Sequence, residues 1–524
     1  MPFGIVSLLF ETVIKQAWQA VSQKVNFRIL KIFVNQRFSI MRVFGAFFLW
    51  SMLGSLSLTA QSVSHWLAPS EYVKTIDAEI YREHLFTLAA DSMEGRAMGT
   101  TGQKKAALYI ENELKKAGLE VHRQAFDYVP WYTIENLSLH IDGKTYDIRK
   151  QQLVPYIVPD AGSRQWTKKA RIATDGKPSE DVNIVDVFLW HEKDFASYKA
   201  LDMTLKMELL PQMPFNKTVI VVLDFEKNAG KALLKKFKQN SGYHYLKPPG
   251  KNIFIVPASF AGEVDLSYPK ELLVRQDIKG GESQTTENII GIVRGQQAFT
   301  PQEEFVVLSA HYDHLGIRYR KVYNGADDNA SGTAGLLSIA RACAMAACNG
   351  HKPKQSMLFV FFTGEEGGLH GSRFFTTYPP VPLQQIVADV NVDMIGRVDK
   401  QHAGRQKYVY LIGGRLISHD LHRLVYAVNK ACCGFYLDEY YNSLSHPESL
   451  FTRSDHYNFA VHDIPVVFFF SGFHEDYHKH SDDPEKINVA RAVLISRLVF
   501  QVGWALAEQD TRPRVTYSFS KYKE

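Results

Sequence analysis

FVVLSAHYD, at residues 305–313, is an apolar run that ends on an imidazole and a carboxylate. SMLFVFFTGEE (356–366) and IVADVNVDMIG (386–396) repeat this pattern, and the helix-like run SGTAGLLSIARACAMAA (331–347) lies between the first two. Near-continuous apolar strands that alternate with helices are typical of a parallel sheet covered on both faces. We therefore predict an α/β fold with a mostly parallel central sheet, helices on both faces and a site outside the carboxyl ends of the strands.

The alternation extends on both sides of these runs. It begins near residue 288 and ends in a long apolar helix predicted at 489–509. Residues 76–118 predict two further helices around a Gly-rich turn. Between about 130 and 285, short β-like runs are separated by Pro, Gly and Lys clusters. We therefore predict a main domain formed by residues 61–130 and 286–510, an inserted β-rich module at 131–285 and a tail at 511–524.

The positive charge of the chain is concentrated at its N-terminus. The 524 residues carry a formal net charge of +5, but residues 1–60 hold six of the 60 Lys and Arg residues and one of the 55 Asp and Glu residues. The remaining chain therefore has 54 of each and no net charge. Because no basic stripe remains, we expect no nucleic-acid partner.

The N-terminal region has the pattern of an export signal. Arg42 precedes an apolar stretch from Val43 to Leu58, and Ala60 is a small residue suited to cleavage. The apolar stretch is shorter than the ~20 residues that span a bilayer. We expect residues 41–60 to be a cleaved signal peptide, residues 1–40 to be a start-site extension, and the mature protein to be periplasmic or extracellular without stable membrane insertion. An uncleaved anchor is the alternative.

The cysteines give little evidence for a metal–thiolate site. Cys343, Cys348, Cys432 and Cys433 have no C-x-x-C spacing, which argues against a zinc–thiolate knot. A single disulfide in an oxidising compartment and small buried side chains are the two open interpretations.

Acidic and imidazole side chains follow or border several of the apolar runs. They are His311, Asp328, Glu366, Asp393 and His478, with Glu365 beside them. Two histidines and three carboxylates are enough to hold two divalent ions, typically zinc. Two such ions, about 3.5–4 Å apart, clamp an attacking water and the oxygen of a scissile group. Asp313 lies two residues after His311 in an extended segment, so its carboxylate can accept the second N–H of that imidazole.

The chain resembles the M28 family of zinc peptidases, which includes secreted bacterial aminopeptidases. The resemblance covers residues 76–118 and about 285–500, with the motifs in the same order. It includes MEGRAMGTTGQKKAALYI (93–110) and FTRSDHYNFAVHDIPVVFFFSGFHEDYH (451–478). It implies the zinc-peptidase fold, two divalent cations, typically Zn²⁺, and peptide substrates. The predicted main domain is then catalytic, and the inserted module occupies the place where some relatives carry a protease-associated domain.

The resemblance also implies a role for the segment NGADDNASG (324–332). Asp328 bridges both ions and is followed by a cis peptide bond. A bridging carboxylate uses one oxygen for each ion and so fixes their spacing. An Asx or Ser N-cap for the next helix is the alternative use of this segment, and it suits Asp327, Asn329 or Ser331.

The adjacent acids Glu365 and Glu366 receive different roles from the resemblance. Two neighbouring carboxylates at the end of a buried strand repel each other unless a cation lies between them. Glu366 binds a metal ion, and Glu365 is the general base that takes a proton from water and delivers it to the leaving amine.

The remaining ligands follow from the same resemblance. Asp393 binds the second ion, and His478 is chosen over His474 and His480 because Tyr477 precedes it. His311 is thereby paired with Glu366, and Asp393 with His478. Tyr477 donates to the developing oxyanion or simply packs, and Asp455 and His456 line or support the site.

Four functions are compatible with these residues to different degrees. A secreted metallo-aminopeptidase is the main hypothesis. A glutaminyl cyclase uses one zinc on a related scaffold, whereas this chain keeps two sets of ligands. A non-catalytic relative usually lacks ligands or the base. A carboxypeptidase needs basic side chains near the site to hold a terminal carboxylate, and the candidates are Arg373, Arg397 and Arg453.

Overall fold

The computed structural model describes residues 63–520, except for residues 130–131, 149, 151, 158–161, 174–176, 180, 182–183, 190–200, 202–204, 206–208, 210–217, 227, 240–251, 266 and 445. The predicted signal peptide at 41–60 and the extension at 1–40 lie outside the described residues. The described residues belong to one unit of the chain, Thr59–Glu524.

The described strands form two eight-stranded sheets and one separate hairpin. In chain order they are β1 (Glu120–Tyr128), β2 (Tyr132–Ile141), β3 (Lys144–Asp147), β4 (Val154–Ile157), β5 (Gly162–Ile172), β6 (Ile184–Leu189), β7 (Thr218–Leu223), β8 (Asn252–Pro257), β9 (Lys270–Gly280), β10 (Gln284–Val293), β11 (Phe305–His311), β12 (Gly316–Arg318), β13 (Lys321–Tyr323), β14 (Ser356–Phe362), β15 (Ile386–Val392), β16 (Tyr408–Ile412), β17 (Tyr436–Asp438) and β18 (Val466–Phe470). Strands β12 and β13 form the hairpin.

The first sheet has the strand order β1-β10-β14-β11-β15-β18-β16-β17. Strands β14, β11, β15 and β18 are parallel, whereas β1, β10 and β16 pair antiparallel with their inner neighbours. The fold is thus α/β, but its sheet is mixed, and the predicted mostly parallel sheet is corrected to a parallel centre with antiparallel flanks. Apolar composition shows that a strand is buried on both faces but does not encode its direction, which is why the sequence missed this.

Helices cover both faces of the first sheet. The α-helices are α1 (Ser70–Lys74), α2 (Ala78–Leu88), α3 (Thr101–Lys116), α4 (Asn228–Gln239), α5 (Ser259–Glu263), α6 (Gly332–Cys348), α7 (His370–Thr377), α8 (Gly414–Ile417), α9 (His419–Cys432), α10 (His456–Ala460) and α11 (Val489–Glu508). Leu308 of β11 approaches Gly503 of α11 on one face. Val307 of the same strand belongs to a core cluster with Phe375 of α7 and Phe459 of α10 on the other.

Two long helical segments are unusually apolar. Ala326–Cys348 and Val489–Glu508 are long and apolar enough to cross a membrane, but 78% of each apolar window is buried within the fold. They therefore act as core helices of the first sheet.

At the end of α9, Cys432 and Cys433 are joined by a disulfide, while Cys343 and Cys348 are free thiols.

The second sheet has the strand order β3-β2-β9-β5-β6-β7-β8-β4. Its strands lie between residues 132 and 280, within the stretch predicted to be a β-rich module. Two separate apolar clusters hold the sheet, one around Val187, Phe254 and Val274, the other around Val221, Ile255 and Leu233 of α4. The boundaries of the module at 131 and 285 stay a prediction.

Candidate metal centre

The candidate site lies at the carboxyl ends of the four parallel strands of the first sheet. These ends meet at one edge, so the residues that follow them leave the sheet close together. His311 is the last residue of β11, Glu365 and Glu366 follow β14, and Asp393 directly follows β15. His478 follows β18 after seven further residues.

His311 and Asp393 form the first half of the site. Nε2 of His311 lies 3.4 Å from Oδ1 of Asp393, 3.5 Å from Oδ1 of Asp328 and 4.0 Å from Oε2 of Glu365. Ligand atoms of His311, Glu365 and Asp393 lie within 4.8 Å of one another, close enough to hold one cation. The other oxygen of Asp393, Oδ2, accepts a hydrogen bond from Ser454 Oγ at 2.9 Å, which directs Oδ1 toward His311.

Glu366 and His478 form the second half. Nε2 of His478 lies 3.2 Å from Oε2 of Glu366 and 3.1 Å from Oδ2 of Asp328. A second imidazole, that of His314, lies 2.7 Å from Oε1 of Glu366 through Nδ1. Since Asp328 turns Oδ1 to His311 and Oδ2 to His478, its carboxylate stands between the two halves.

The predicted pairing of ligands is wrong. The prediction paired His311 with Glu366 and Asp393 with His478, whereas the structure pairs His311 with Asp393 and Glu366 with His478. β18 is the neighbour of β15, which favours a pairing with Asp393. The seven residues 471–477 carry His478 past that strand to Glu366, and such a displacement is not visible in the motif.

The loop that carries Asp328 is held from two sides. The peptide bond Asp328–Asn329 is cis, as the family resemblance implies. Asp482 accepts hydrogen bonds from the main-chain N–H groups of Asp327 at 3.0 Å and Asp328 at 3.1 Å. Ser331, at the N-cap position of α6, makes no side-chain cap bond, but Asn329 accepts the N–H of Gly332, the first residue of α6, at 2.9 Å and donates to Val392 O at 2.9 Å. Capping and metal binding therefore fall to different residues of the same segment.

Arg96, from the upstream motif MEGRAMG, ties the two loops of the site together. Its guanidinium is fully buried and donates to the carbonyls of Tyr312 at 2.8 Å, Asn324 at 2.6 Å and Gly325 at 2.9 Å, besides Leu88 at 2.6 Å. Burial lowers its pKa to about 10, and the carboxylates of Asp313 and Asp328 oppose this shift. The sequence pointed to the motif but not to this contact.

Asp313 supports the site differently from the prediction. Nδ1 of His311 lies 3.2 Å from the main-chain carbonyl of Asp313 and 3.7 Å from its carboxylate. The carboxylate oxygen Oδ1 instead accepts the main-chain N–H of Glu365 at 3.1 Å. The predicted hydrogen bond to the carboxylate is thus replaced by one to the carbonyl, because the carboxylate is engaged with the next loop.

Tyr477 lies beside the second half of the site. Its ring stacks on His478 with centroids 3.9 Å apart, and its hydroxyl accepts a hydrogen bond from Nη2 of Arg453 at 3.0 Å. Burial raises the pKa of Tyr477, so its hydroxyl remains a donor. Both proposed uses, packing and donation, are compatible with this placement.

Burial and neighbouring charges push the pKa values of Glu365 and Glu366 apart. Burial raises the pKa of Glu365 well above its usual range, with Glu366 and Asp393 adding to the shift and His311 opposing it. Burial and Asp328 also act to raise the pKa of Glu366, but His314 and His478 outweigh them and lower it to about 2. A carboxyl that accepts a proton readily beside one that stays ionised is typical of acid–base sites.

The donor set fits divalent cations. Among the described residues, the buried atoms without a hydrogen-bond partner include His311 Nε2, Asp313 Oδ2, Asp393 Oδ1 and His314 Nε2. Buried polar atoms without partners are costly, and a cation between them compensates several at once. Imidazole nitrogens and carboxylate oxygens are also ligands that zinc prefers.

Two of the predicted residues are buried near the site, and a third buried residue there was not predicted. Asp455 and His456 are fully buried, and burial raises the pKa of Asp455 to about 7 and lowers that of His456 to about 3. His314 was not predicted. The signal was present, because SAHYDHLG contains a second histidine three residues after His311.

Sequence comparison identifies similar proteins for the second half of the chain. Residues 288–503 match the profile of Peptidase family M28. Aminopeptidase YwaD of Bacillus subtilis is 24% identical over 356 residues, which are 66% of this chain and 68% of that protein. Leucine aminopeptidase 2 of Trichophyton rubrum is 25% identical over 283 residues, 49% of this chain and 50% of that protein. The chain thus spans about half the length of this fungal relative.

Comparison of structures gives a related result. An aminopeptidase from Aneurinibacillus sp. strain AM-1 superposes with a TM-score of 0.48 at 18% sequence identity. The superposition covers 85% of this chain and 97% of the Aneurinibacillus chain.

Proposed function

We propose that this chain is a metal-dependent aminopeptidase of peptidase family M28, whose profile matches residues 288–503. Its reaction is hydrolysis of the peptide bond after the first residue of a peptide. One observation carries the proposal: two His–carboxylate groups converge on Asp328, and Oε2 of Glu365 lies 4.0 Å from Nε2 of His311. His311 and Asp393 would hold one divalent ion, Glu366 and His478 would hold the other, and the carboxylate of Asp328 lies between the two pairs.

The residues of the chain divide the chemistry among them. When bound, the two ions would polarise the scissile carbonyl and lower the pKa of the attacking water. Glu365 accepts the proton of that water and passes it to the leaving amine. The main chain of Glu365 is anchored by its N–H bond to Asp313. Because Tyr477 accepts a hydrogen bond from Arg453, its own O–H is available to donate to the oxyanion.

The excess of acid favours a substrate that carries an α-ammonium group. Asp313, Glu365 and Asp455 add three carboxyl groups to those assigned to the cations, all buried or nearly so, and a positive charge beside Glu365 and Asp455 would favour their ionised form against the burial that raises their pKa values. Opposite charges attract strongly in a pocket from which water is excluded. A free N-terminus is therefore the end of a peptide that this pocket attracts.

The arginines near the site argue against carboxypeptidase specificity. Arg397 forms ion pairs with Asp476 and Glu475, both at 3.0 Å. Arg453 forms an ion pair with Glu448 at 3.2 Å. A substrate carboxylate would have to compete with these acids, so Arg397 and Arg453 are poorly placed to recognise a C-terminus, whereas Arg373 is not tested by these ion pairs.

The decisive experiment measures metal content and products on the same protein. The purified chain is dialysed with Zn²⁺, its bound metal is counted, and it is offered aminoacyl anilides, peptides with blocked N-termini and peptides with amidated C-termini. We expect two ions per chain and release of the first residue from every substrate with a free N-terminus, amidated or not.

Two outcomes would overturn the aminopeptidase proposal. Cleavage only of blocked peptides would exclude it. One zinc per chain, together with pyroglutamate formation from peptides that begin with Gln, would identify a glutaminyl cyclase instead.

We also propose that the protein is exported and that its native metal is zinc. The support for export is the apolar stretch that ends at Ala60 in the sequence. Fractionation of the producing cells, followed by sequencing of the mature N-terminus, tests it. A protein retained with its N-terminus intact would contradict it.

A further inference from the structure

His314 is a buried imidazole that the mechanism leaves without a role. It follows β11 in the segment SAHYDHLG, and its side chain is fully buried. Nδ1 lies 2.7 Å from Oε1 of Glu366 but 3.8 Å from the nearer oxygen of Asp328. Its ring stands edge-on to that of His478, with centroids 6.0 Å apart. Ligand atoms of His314, Asp328 and Glu366 lie within 4.8 Å of one another, so this imidazole can either join them around a cation or hold Glu366 in place.

The chain builds a space that the imidazole of His314 fills. Gly325 adopts a left-handed conformation with φ +54°, and a Cβ there would stand 2.4 Å from the ring of His314. The main-chain N–H of His314 donates to the carbonyl of Arg96 at 3.3 Å, and the guanidinium of Arg96 holds the carbonyl of Gly325. Both walls of this space are thus fixed by the same arginine.

The two oxygens of Glu366 face different histidines. Oε2 lies 3.2 Å from His478, which in turn lies 3.1 Å from Asp328, so these three atoms surround one position. Oε1, the other oxygen, lies 2.7 Å from Nδ1 of His314. The other half of the site has the same design, because Asp393 turns Oδ1 to His311 while Ser454 donates to Oδ2.

We propose that His314 is a positioning residue, which holds the outer oxygen of Glu366 through Nδ1 while the inner oxygen binds the cation shared with His478. The inference rests on the two-cation centre proposed above. It treats His314 as the counterpart of Ser454, since each fixes the second oxygen of a metal-binding carboxylate. Loss of such an outer partner typically weakens metal affinity by about 10- to 100-fold.

The test compares His314→Ala and His314→Asn in the full-length protein. Zn²⁺ affinity is measured by competition with a chromogenic chelator, and the Co²⁺-substituted protein is examined by visible absorption. We expect His314→Ala to weaken one of the two ions by about 10- to 100-fold and to leave the other unchanged. We expect His314→Asn to recover most of the affinity, because its amide can donate from the position of Nδ1. The Co²⁺ spectrum of His314→Asn should match that of the wild type.

Two controls assign the effect. Ser454→Ala should weaken the other ion. Combining His314→Ala with His478→Ala should leave the affinity for the remaining ion as it is in His478→Ala alone. Metal-free thermal unfolding of each variant shows whether the fold is retained.

Three results would overturn the inference. Both ions could bind His314→Ala as tightly as the wild type. Both could weaken equally. Alternatively, His314→Asn could be as impaired as His314→Ala with an altered Co²⁺ spectrum, which would make His314 a direct ligand. Failure of the proposed function looks different, because the wild type itself would then bind fewer than two ions.

Discussion

The buried acids of the two eight-stranded sheets differ in their partners. In the second sheet, the carboxylate of Asp186 accepts hydrogen bonds from Nε of Arg171 at 2.8 Å and from the main chain of Ser179 at 2.6 Å. In the first sheet, Asp313 and Asp393 each have one buried oxygen without a hydrogen-bond partner. Both sheets thus contain buried carboxylates, and they differ in whether the oxygens of these carboxylates have hydrogen-bond partners.

This difference extends beyond the two examples. Among the described residues, the buried side-chain atoms without hydrogen-bond partners all lie between His311 and Asp482, with the exception of Oε1 of Gln152. Buried polar groups in folded proteins are normally satisfied, so a concentration of unsatisfied ones marks a place where something else binds. In the described part of the second sheet the buried carboxylate of Asp186 is paired within the fold, whereas the first sheet gathers unpaired carboxylate and imidazole atoms that a cation would satisfy.

The largest expected effect is on turnover. Glu365→Gln removes the general base but keeps the size of the side chain, and we expect kcat to fall about 1,000-fold with two ions still bound. The matched control is Asp186→Asn, which neutralises a buried carboxylate of the second sheet and should leave kcat unchanged. Steady-state kinetics and metal analysis on both variants decide the matter. An equal loss of kcat in both variants would show that the two carboxylates do not differ in function.

Removal of metal should affect stability strongly. The carboxylates around Asp328 repel one another without cations, and cations bound to the native state stabilise it. We expect the free energy of unfolding to rise by about 4 kcal/mol when free Zn²⁺ is 1,000-fold above its dissociation constant. Denaturant unfolding with and without chelator measures this. Identical unfolding midpoints with and without chelator would show that bound cations do not stabilise the first sheet.

The five predicted ligands lie in one pocket, and the reason is visible in the sequence. Each follows an apolar run, and the strand ends of a parallel centre share an edge. The histidine at position 314 was visible in the sequence, but its contact with Glu366 and the hydrogen bonds donated by Arg96 could not be predicted. Both depend on which loops come into contact. The pairing of His478 with Glu366 likewise depends on the path of a loop. Strand direction at β10 and β16 was missed because burial looks alike in both directions.

Asp186→Ala probes the second sheet itself. The variant leaves the guanidinium of Arg171 and the N–H of Ser179 without this partner, so we expect the free energy of unfolding to fall by about 3 kcal/mol. Aminopeptidase turnover per folded molecule should not change. Urea denaturation and kcat measurements on the same preparation test both statements. An unchanged stability would mean that pairing in the second sheet is not what holds its acids.

The smallest expected effect is on the pH dependence of stability. His456 packs between Phe451 and Phe468, and burial lowers its pKa from 6.5 to about 3. The unfolded chain therefore binds a proton that the folded chain does not, and stability falls as pH falls from 6.5 toward 3. Between pH 7 and pH 5 we expect a loss of about 2 kcal/mol from this residue.

The variant His456→Phe isolates this contribution. Its free energy of unfolding should depend less steeply on pH between 7 and 5 than that of the wild type. His122→Gln, at an exposed position of β1, is the control and should leave the slope as it is. An unchanged slope in His456→Phe would show that the buried imidazole is not linked to folding.

The buried guanidinium of Arg96 limits how this enzyme can be dissected. Residues 288–503 match the peptidase profile, yet the carbonyls of Tyr312, Asn324 and Gly325 find their donor in Arg96, which lies 192 residues before the profile begins at residue 288. An expression fragment confined to the profile would leave these three acceptors without that donor. A fragment intended for engineering therefore has to include the segment that carries Arg96.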